Sequence, residues 1–147
     1  MKINKILIAE PSPIVSAGLF RFLEDSNQLQ IVSVVDNVDD LNDKMIIYTP
    51  DILIVNPLIM GYTNNNIIRQ INQNYPDTIC IALVTTFIDK NLLKYFKETI
   101  ELSDNKQKVT NKIFALLNNN DESSSQNESV DLSNRETDVL ICVAKGM

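Results

Sequence analysis

Four polar stretches follow aliphatic runs of this 147-residue sequence, and they carry the side chains best suited to chemistry. In chain order they are Glu10-Pro11, Asn56-Pro57, Thr85-Thr86 and Ser103-Asp104. They offer two carboxylates, an amide and hydroxyl groups, which can hydrogen bond to a ligand or contribute to a weak cation site. The chain has no His, which excludes Ser-His and Cys-His nucleophiles and imidazole metal ligands. Its two Cys make neither a disulfide framework nor a zinc site.

The elements that must position these stretches alternate between short β-rich runs and segments with helical periodicity. Runs such as ILIA, DILIV and ICIALV are almost purely aliphatic, which is typical of parallel strands covered on both faces. Ser12 is a candidate N-cap, with Pro13 as the first helical residue. The predicted strands are Ile3–Ala9, Leu29–Val35, Asp51–Val55, Ile79–Val84 and Glu98–Leu102. The predicted helices are Pro13–Leu23, Val38–Ile47, Asn66–Asn74, Asp89–Phe96 and Lys106–Leu117.

Five strands alternating with five helices predict an α/β fold with a doubly wound, five-stranded parallel sheet. Functional groups in such folds gather outside the carboxyl ends of the strands. All four polar stretches occupy that position in the sequence. We therefore expect them to meet at one edge of the sheet.

Three segments, ILIAEPSPIVSAGL, PDILIVNPLIMG and NYPDTICIALVTTF, resemble the first, third and fourth strands of response-regulator receiver domains, with their CheY-like fold. The resemblance covers residues 1–118 and matches Glu10-Pro11 to the acidic pair of that family. Asn56 aligns with the Asp that accepts the phosphoryl group in that family, and Gly61 aligns with the Gly that follows this Asp five residues later. The switch hydroxyl of the family corresponds to Thr85 or Thr86, with a slight preference for Thr86. Ser103 occupies the position of the Lys that contacts the phosphoryl group in the family.

These departures imply a degenerate phosphoacceptor pocket, composed of Glu10, Pro11, Asn56, Thr85, Thr86 and Ser103. An amide at position 56 is not a nucleophile toward a phosphoryl donor. Of the Mg²⁺ ligands of the family only Glu10 remains, so we expect no metal site beyond a weak residual ligand. The sequence is thus interpreted as a pseudo-receiver that is not an enzyme and that has no cofactor.

Simpler structural roles remain open for the same residues. Asn56 could cap the turn before Pro57. Glu10 could favour the start of the first helix electrostatically. Thr85 and Thr86 are good strand formers. Cys80 could be a small buried apolar residue.

The C-terminal part changes in composition. Residues 119–131 read NNDESSSQNESVD and predict a flexible polar linker. In residues 132–147, Ser133 and Glu136 form a capping box before an apolar helical face. The segment LSNRETDVLICVAKG resembles the first helix of LuxR/NarL-type helix-turn-helix domains, through Leu132, Ser133, Arg135 and Glu136. Because the chain stops at Met147, before a recognition helix, we expect a domain truncated at this point; the alternative is a C-terminal docking helix.

These observations favour a response-regulator-like transcription factor that acts without phosphorylation. Its receiver-like domain would control a LuxR-type DNA-binding domain by dimerisation or docking, in response to an unidentified protein or ligand. DNA would bind to the full-length protein and not through this fragment, whose net charge is −6. We expect a cytoplasmic homodimer with no membrane partner, since no apolar run reaches ~18 residues.

Two alternatives differ in class. One is a stand-alone interaction module without a DNA role, which would dock through the face of the fourth helix, fifth strand and fifth helix. The other is a flavodoxin-like cofactor binder. The sequence disfavours it, because Pro11 and Pro13 remove backbone donors and Glu10 adds a negative charge where a phosphate would bind.

Overall fold

Five strands form the frame of the computed structural model, which describes residues 3–61 and 66–125. All five begin and end within one residue of the predicted positions. The aliphatic runs ILIA, DILIV and ICIALV located three of them, because the part of a strand that is covered on both faces is apolar. The other two strands contain polar residues such as Gln30 and Glu98. The strands are β1 (Asn4–Ala9), β2 (Leu29–Val35), β3 (Ile52–Val55), β4 (Ile79–Val84) and β5 (Glu98–Glu101).

In the described part of the chain, five α-helices follow the strands, and a 3-10 turn at Pro57–Met60 follows β3. The first helix begins as predicted, with Ser12 as N-cap and Pro13 at its first position. The fourth is shorter than predicted and consists of one turn, whereas the fifth continues beyond its predicted end at Leu117. The helices are α1 (Pro13–Leu23), α2 (Val38–Tyr48), α3 (Asn66–Asn74), α4 (Lys90–Leu93) and α5 (Lys106–Ser125).

The sheet is fully parallel, with the order β2-β1-β3-β4-β5. This is the doubly wound, CheY-like arrangement predicted from the alternation of elements. Ala9 pairs with Val55, and Val55 pairs with Ala82. The carboxyl ends of the three central strands, β1, β3 and β4, therefore lie side by side.

Both faces of the sheet are buried. Leu7, Leu53 and Cys80 belong to a cluster on one face, and α2, α3 and α4 supply Leu41, Met45, Ile68, Ile71 and Leu92 to it. The alternate positions Ile6 and Ile54 are fully buried as well. Since successive side chains of a strand point to opposite faces, those residues form the core on the other side. Burial on both sides fixes the strands and leaves their carboxyl ends available for a site.

The chain divides into two units, residues 1–112 and residues 113–147. The sheet, the first four helices and the beginning of α5 lie in the first unit, and residues 113–125 are the described part of the second. The predicted domain limit at 118 and the linker 119–131 remain predictions. The helix-turn-helix signature at Leu132, Ser133, Arg135 and Glu136 lies outside the described residues. No helix in the described part of the chain is long and apolar enough to cross a membrane.

Candidate functional site at the carboxyl ends of three strands

Asn56 is the first residue after β3, and its side chain is 1% exposed. Its Oδ1 accepts a hydrogen bond from the Leu58 backbone N–H at 3.0 Å and thereby caps the 3-10 turn. That turn ends at Gly61, whose φ of +86° is readily adopted only by glycine. The capping role considered for Asn56 is therefore present in the structure, although it uses only the oxygen of the amide.

The nitrogen of the same amide contacts two neighbouring strands. Asn56 Nδ2 donates to Glu10 Oε1 at 2.8 Å and to Thr85 Oγ1 at 2.9 Å. A primary amide nitrogen carries two hydrogens, so both donors of Asn56 are used. The three side chains link the ends of β1, β3 and β4 through one buried amide.

Glu10 follows β1 and is 3% exposed. Its second oxygen, Oε2, accepts from the Ser12 backbone N–H at 2.8 Å, just before α1 begins. A carboxylate beside the first turn of a helix interacts favourably with the helix dipole. The proposed electrostatic role at the helix start is thus consistent with this contact. Because Asn56 and Ser12 take one oxygen each, both oxygens of Glu10 have protein partners.

The contacts also distinguish between the two candidate threonines. Thr85 is half-buried and bonded to Asn56, whereas Thr86 is exposed and is not part of this network. The hydroxyl in contact with Asn56 is therefore that of Thr85, although the sequence slightly favours Thr86 as the switch hydroxyl. Thr85 is the first residue after β4 and its hydroxyl lies 2.9 Å from the Asn56 amide nitrogen, whereas Thr86 is one residue further from the strand end. A switch role for Thr85 remains a prediction.

Two further predicted site residues are not brought into the network. Ser103 is exposed in the turn between β5 and α5. Pro11 is also exposed and lines a cleft of about 350 Å³ together with Glu10, Asp36 and Asp40. Although three carboxylates border this cleft, no group of three His, Cys, Asp or Glu residues within 3–61 and 66–125 could hold a metal ion.

Asp104, beside Ser103, is a buried charge, which the sequence pattern did not predict. Asp104 has a side chain only 1% exposed, and its Oδ2 accepts from Lys112 Nζ at 2.7 Å and from the Glu101 backbone N–H at 3.1 Å. Lys112 also donates to the Thr99 carbonyl at 2.7 Å, which ties β5 to α5. The i, i+4 spacing of Asp104 and Lys108, an ion pair at 3.4 Å, was a signal in the sequence.

The charge state of Asp104 follows from these partners. Burial alone would raise the pKa of Asp104. The hydrogen bonds from Lys112 and from the Glu101 N–H, with the positive charges of Lys112 and Lys108, outweigh this effect and hold the pKa below its ordinary value. Asp104 is therefore a charged group that stabilises the β5–α5 junction, and it lies outside the Asn56 network.

In the network of Glu10, Asn56 and Thr85, the amide of Asn56 has a hydrogen-bond partner for each of its two N–H groups and for its oxygen. The two donors of the Asn56 amide point at the Glu10 carboxylate and the Thr85 hydroxyl, and its oxygen faces the Leu58 N–H. Such an arrangement holds three strand ends in fixed positions. An aspartate in place of Asn56 would present no donor to Glu10 and would set two carboxylates against each other.

No protein-family model matches this chain, and no curated protein matches it in sequence. Solved structures do match its fold. The signal receiver domain of a response regulator NarL from Mycobacterium tuberculosis aligns with a TM-score of 0.69 and 9% identity, over 80% of this chain and 98% of that one. A LuxR-family two-component response regulator from Aurantimonas aligns with a TM-score of 0.69 and 18% identity, over 80% and 87%.

A third neighbour is a longer protein. The RcsB response regulator of Salmonella typhimurium, in a structure described for its conformational dynamism in DNA interaction, aligns with a TM-score of 0.70 and 17% identity. The match covers 80% of this chain but only 62% of RcsB. At these identities the comparisons establish the fold, which is that of the receiver domains of NarL/LuxR-family response regulators.

Proposed function

We propose that this chain is a receiver-like module of a transcriptional regulator that works without aspartyl phosphorylation. The observation that carries the proposal is the position of the Asn56 amide at the end of β3, where it is bonded to Glu10 and Thr85. The receiver fold brings a phosphoacceptor to this strand end in the family that the sequence resembles. Both N–H groups of this amide donate hydrogen bonds to residues at the ends of neighbouring strands. This supports a sheet edge that keeps one conformation and is not switched by phosphorylation.

The partner proposed for this module is a LuxR-type DNA-binding domain that begins with Leu132, Ser133, Arg135 and Glu136. Two neighbours support this arrangement, since one is described as a LuxR-family regulator and RcsB is described bound to a promoter. The module would control the DNA-binding domain through homodimerisation or docking, with a protein or small-molecule effector in place of phosphate, inside the cytoplasm.

The absence of phosphotransfer is tested by incubating the chain with Mg²⁺ and acetyl phosphate and measuring its intact mass. We expect no stable gain of a phosphoryl group and no dimerisation with beryllofluoride. The variant Asn56→Ala is the matched control, since any modification at another residue persists in it. A phosphoryl gain that disappears in Asn56→Ala would disprove the proposal.

A second candidate is an interaction module with no DNA role. It is favoured by the exposed apolar side chains of Phe87, before α4, and Leu102, after β5, which are 84% and 61% exposed. The coding sequence after the Met147 codon separates the two candidates. Further helices with a basic face, and DNA binding by the longer product, would support the regulator. A natural stop codon at this position would support the interaction module.

A further inference from the structure

A cavity of about 330 Å³ lies at the amino end of β4, away from the Asn56 site at its carboxyl end. Its walls are formed by Asn72 of α3, by Pro76 and Thr78 before β4, by Cys80 in β4, and by the segment Lys94–Lys97 between α4 and β5. Its volume is at the lower end of the range of small-molecule pockets, about 300–1,000 Å³. The cavity is therefore large enough for a small ligand.

The short fourth helix accounts for this space. A helix of four residues is about 6 Å long, whereas the six residues of β4 span about 20 Å. After Leu93 the chain leaves the helix through a turn, in which the Phe96 N–H bonds to the Leu93 carbonyl at 3.0 Å. The Lys97 N–H then bonds to the Cys80 carbonyl at 2.9 Å. The amino end of β4 is consequently covered by a turn that carries Lys94 and Lys97.

The neutral polar groups of the wall are already paired and hold its shape. Asn72 donates from Nδ2 to the Tyr95 carbonyl at 3.1 Å and accepts from the Cys80 thiol at 3.5 Å. Thr78 donates its hydroxyl proton to the Pro50 carbonyl at 2.7 Å. These groups form a rigid frame, because each one is held by a second element of the fold.

The lysines differ from the rest of the wall. Within residues 3–61 and 66–125, neither Lys94 nor Lys97 forms a salt bridge, and no acidic side chain lines the cavity. Lys94 Nζ lies over the Tyr95 ring, 5.4 Å from its centroid. The positive charge of Lys97 reaches the Cys80 wall, since it partly opposes the rise in the pKa of that thiol caused by burial. In a chain of net charge −6, this cavity is thus bordered by two lysines that form no salt bridge within the described residues.

We propose that this cavity binds a small phosphate monoester between Lys94 and Lys97. A phosphate monoester carries a charge of about −1.5 to −2 at pH 7, which matches two lysines. Hydrogen bonds between ammonium groups and phosphate oxygens are charge-assisted and strong. The inference is independent of the proposed function, because the Asn56 network and this cavity lie at opposite ends of β4.

The test is a titration of the ¹⁵N-labelled 147-residue chain with glycerol phosphate, at constant ionic strength, followed by NMR. We expect saturable shifts of the Cys80 and Lys97 amides, and no saturation with sodium chloride. The variants Lys97→Gln and Lys94→Gln should each weaken binding by about tenfold or more. The matched control is Lys90→Gln, on α4 but outside the cavity, which should bind as the parent does.

The spectra of the variants also report folding, because dispersed and superimposable peaks away from the cavity show an intact core. Shifts distributed over lysines outside the cavity would overturn the proposal, and so would equal affinity in Lys97→Gln and Lys90→Gln. Acetate binding as tightly as glycerol phosphate would overturn the assignment to a phosphate ligand.

Discussion

Asn56 Nδ2 and Glu10 Oε1 lie 2.8 Å apart, in a buried hydrogen bond that joins the ends of two adjacent parallel strands. The bond requires a donor at position 56, which an amide has and a carboxylate lacks. The chemical identity of residue 56 is therefore coupled to that of Glu10. The role of Asn56 can therefore be tested by substituting Asn56 alone or together with Glu10.

Substitution of Asn56 by Asp should lower the free energy of unfolding at pH 7 by about 1–3 kcal/mol, because a buried donor is lost and two carboxylates face each other. Added Mg²⁺ should restore part of the lost stability, since carboxylate oxygens are magnesium ligands. Urea unfolding of parent and variant, with and without Mg²⁺, measures these effects.

The double variant Glu10→Gln/Asn56→Asp is the control for that experiment. It exchanges the donor and the acceptor and leaves one negative charge in the pair. It should be more stable at pH 7 than Asn56→Asp alone. If both variants lose the same stability, the Glu10–Asn56 contact does not explain the effect.

Thr85 and Thr86 offer a matched pair of substitutions. Thr85→Val removes the hydroxyl that accepts from Asn56, and it should cost about 1 kcal/mol because a buried amide donor loses its acceptor. Thr86→Val changes an exposed residue and should stay within about 0.5 kcal/mol. Chemical denaturation of both variants measures the change in unfolding free energy that each substitution causes. A larger loss in Thr86→Val would contradict the assignment of Thr85 as the contact residue.

Asp104 should make the unfolding free energy of the chain depend on pH in the acidic range. Its pKa is below the ordinary value in the folded chain, so the unfolded chain binds the proton more tightly. The stabilisation is present above the ordinary carboxyl range and is lost as the pH falls through the lowered pKa. Asp104→Asn should therefore reduce stability by about 1.5–3 kcal/mol at pH 7 and by less at pH 3.

The exposed ion pair of Asp25 and Lys106 is the control for Asp104. Its carboxylate is also hydrogen bonded to a lysine, but both side chains are largely exposed and screened by water. Asp25→Asn should leave the unfolding free energy unchanged. Equal losses in the two variants would mean that burial of Asp104 has no energetic consequence.

Cys80 should be unreactive in the folded chain. Burial raises the pKa of its thiol to about 12, with a small opposing effect of Lys97, and the thiolate is the reactive form. In a Cys142→Ser background, iodoacetamide at pH 8 should modify Cys80 only after unfolding in urea. Mass spectrometry before and after unfolding measures this. Rapid modification of the folded chain would place Cys80 outside the core.

The sequence by itself determined the strands, most helix limits and the α/β class, because these depend on local patterns. Short aliphatic runs rich in β-branched residues are typical of strands covered on both faces, and Ser12-Pro13 specifies a helix start. It also determined which residues follow each strand, so Glu10 and Asn56 could be named as neighbours at one sheet edge.

Only the tertiary structure decided which of these residues touch. The pairing of Ala9 with Val55 and of Val55 with Ala82 sets Glu10, Asn56 and Thr85 within hydrogen-bonding distance and leaves Thr86 and Ser103 outside. Strand register involves residues far apart in the chain, and the cavity beside the shortened α4 depends on the absence of covering atoms. No local pattern encodes such relationships, since they arise from the simultaneous packing of both faces of the sheet.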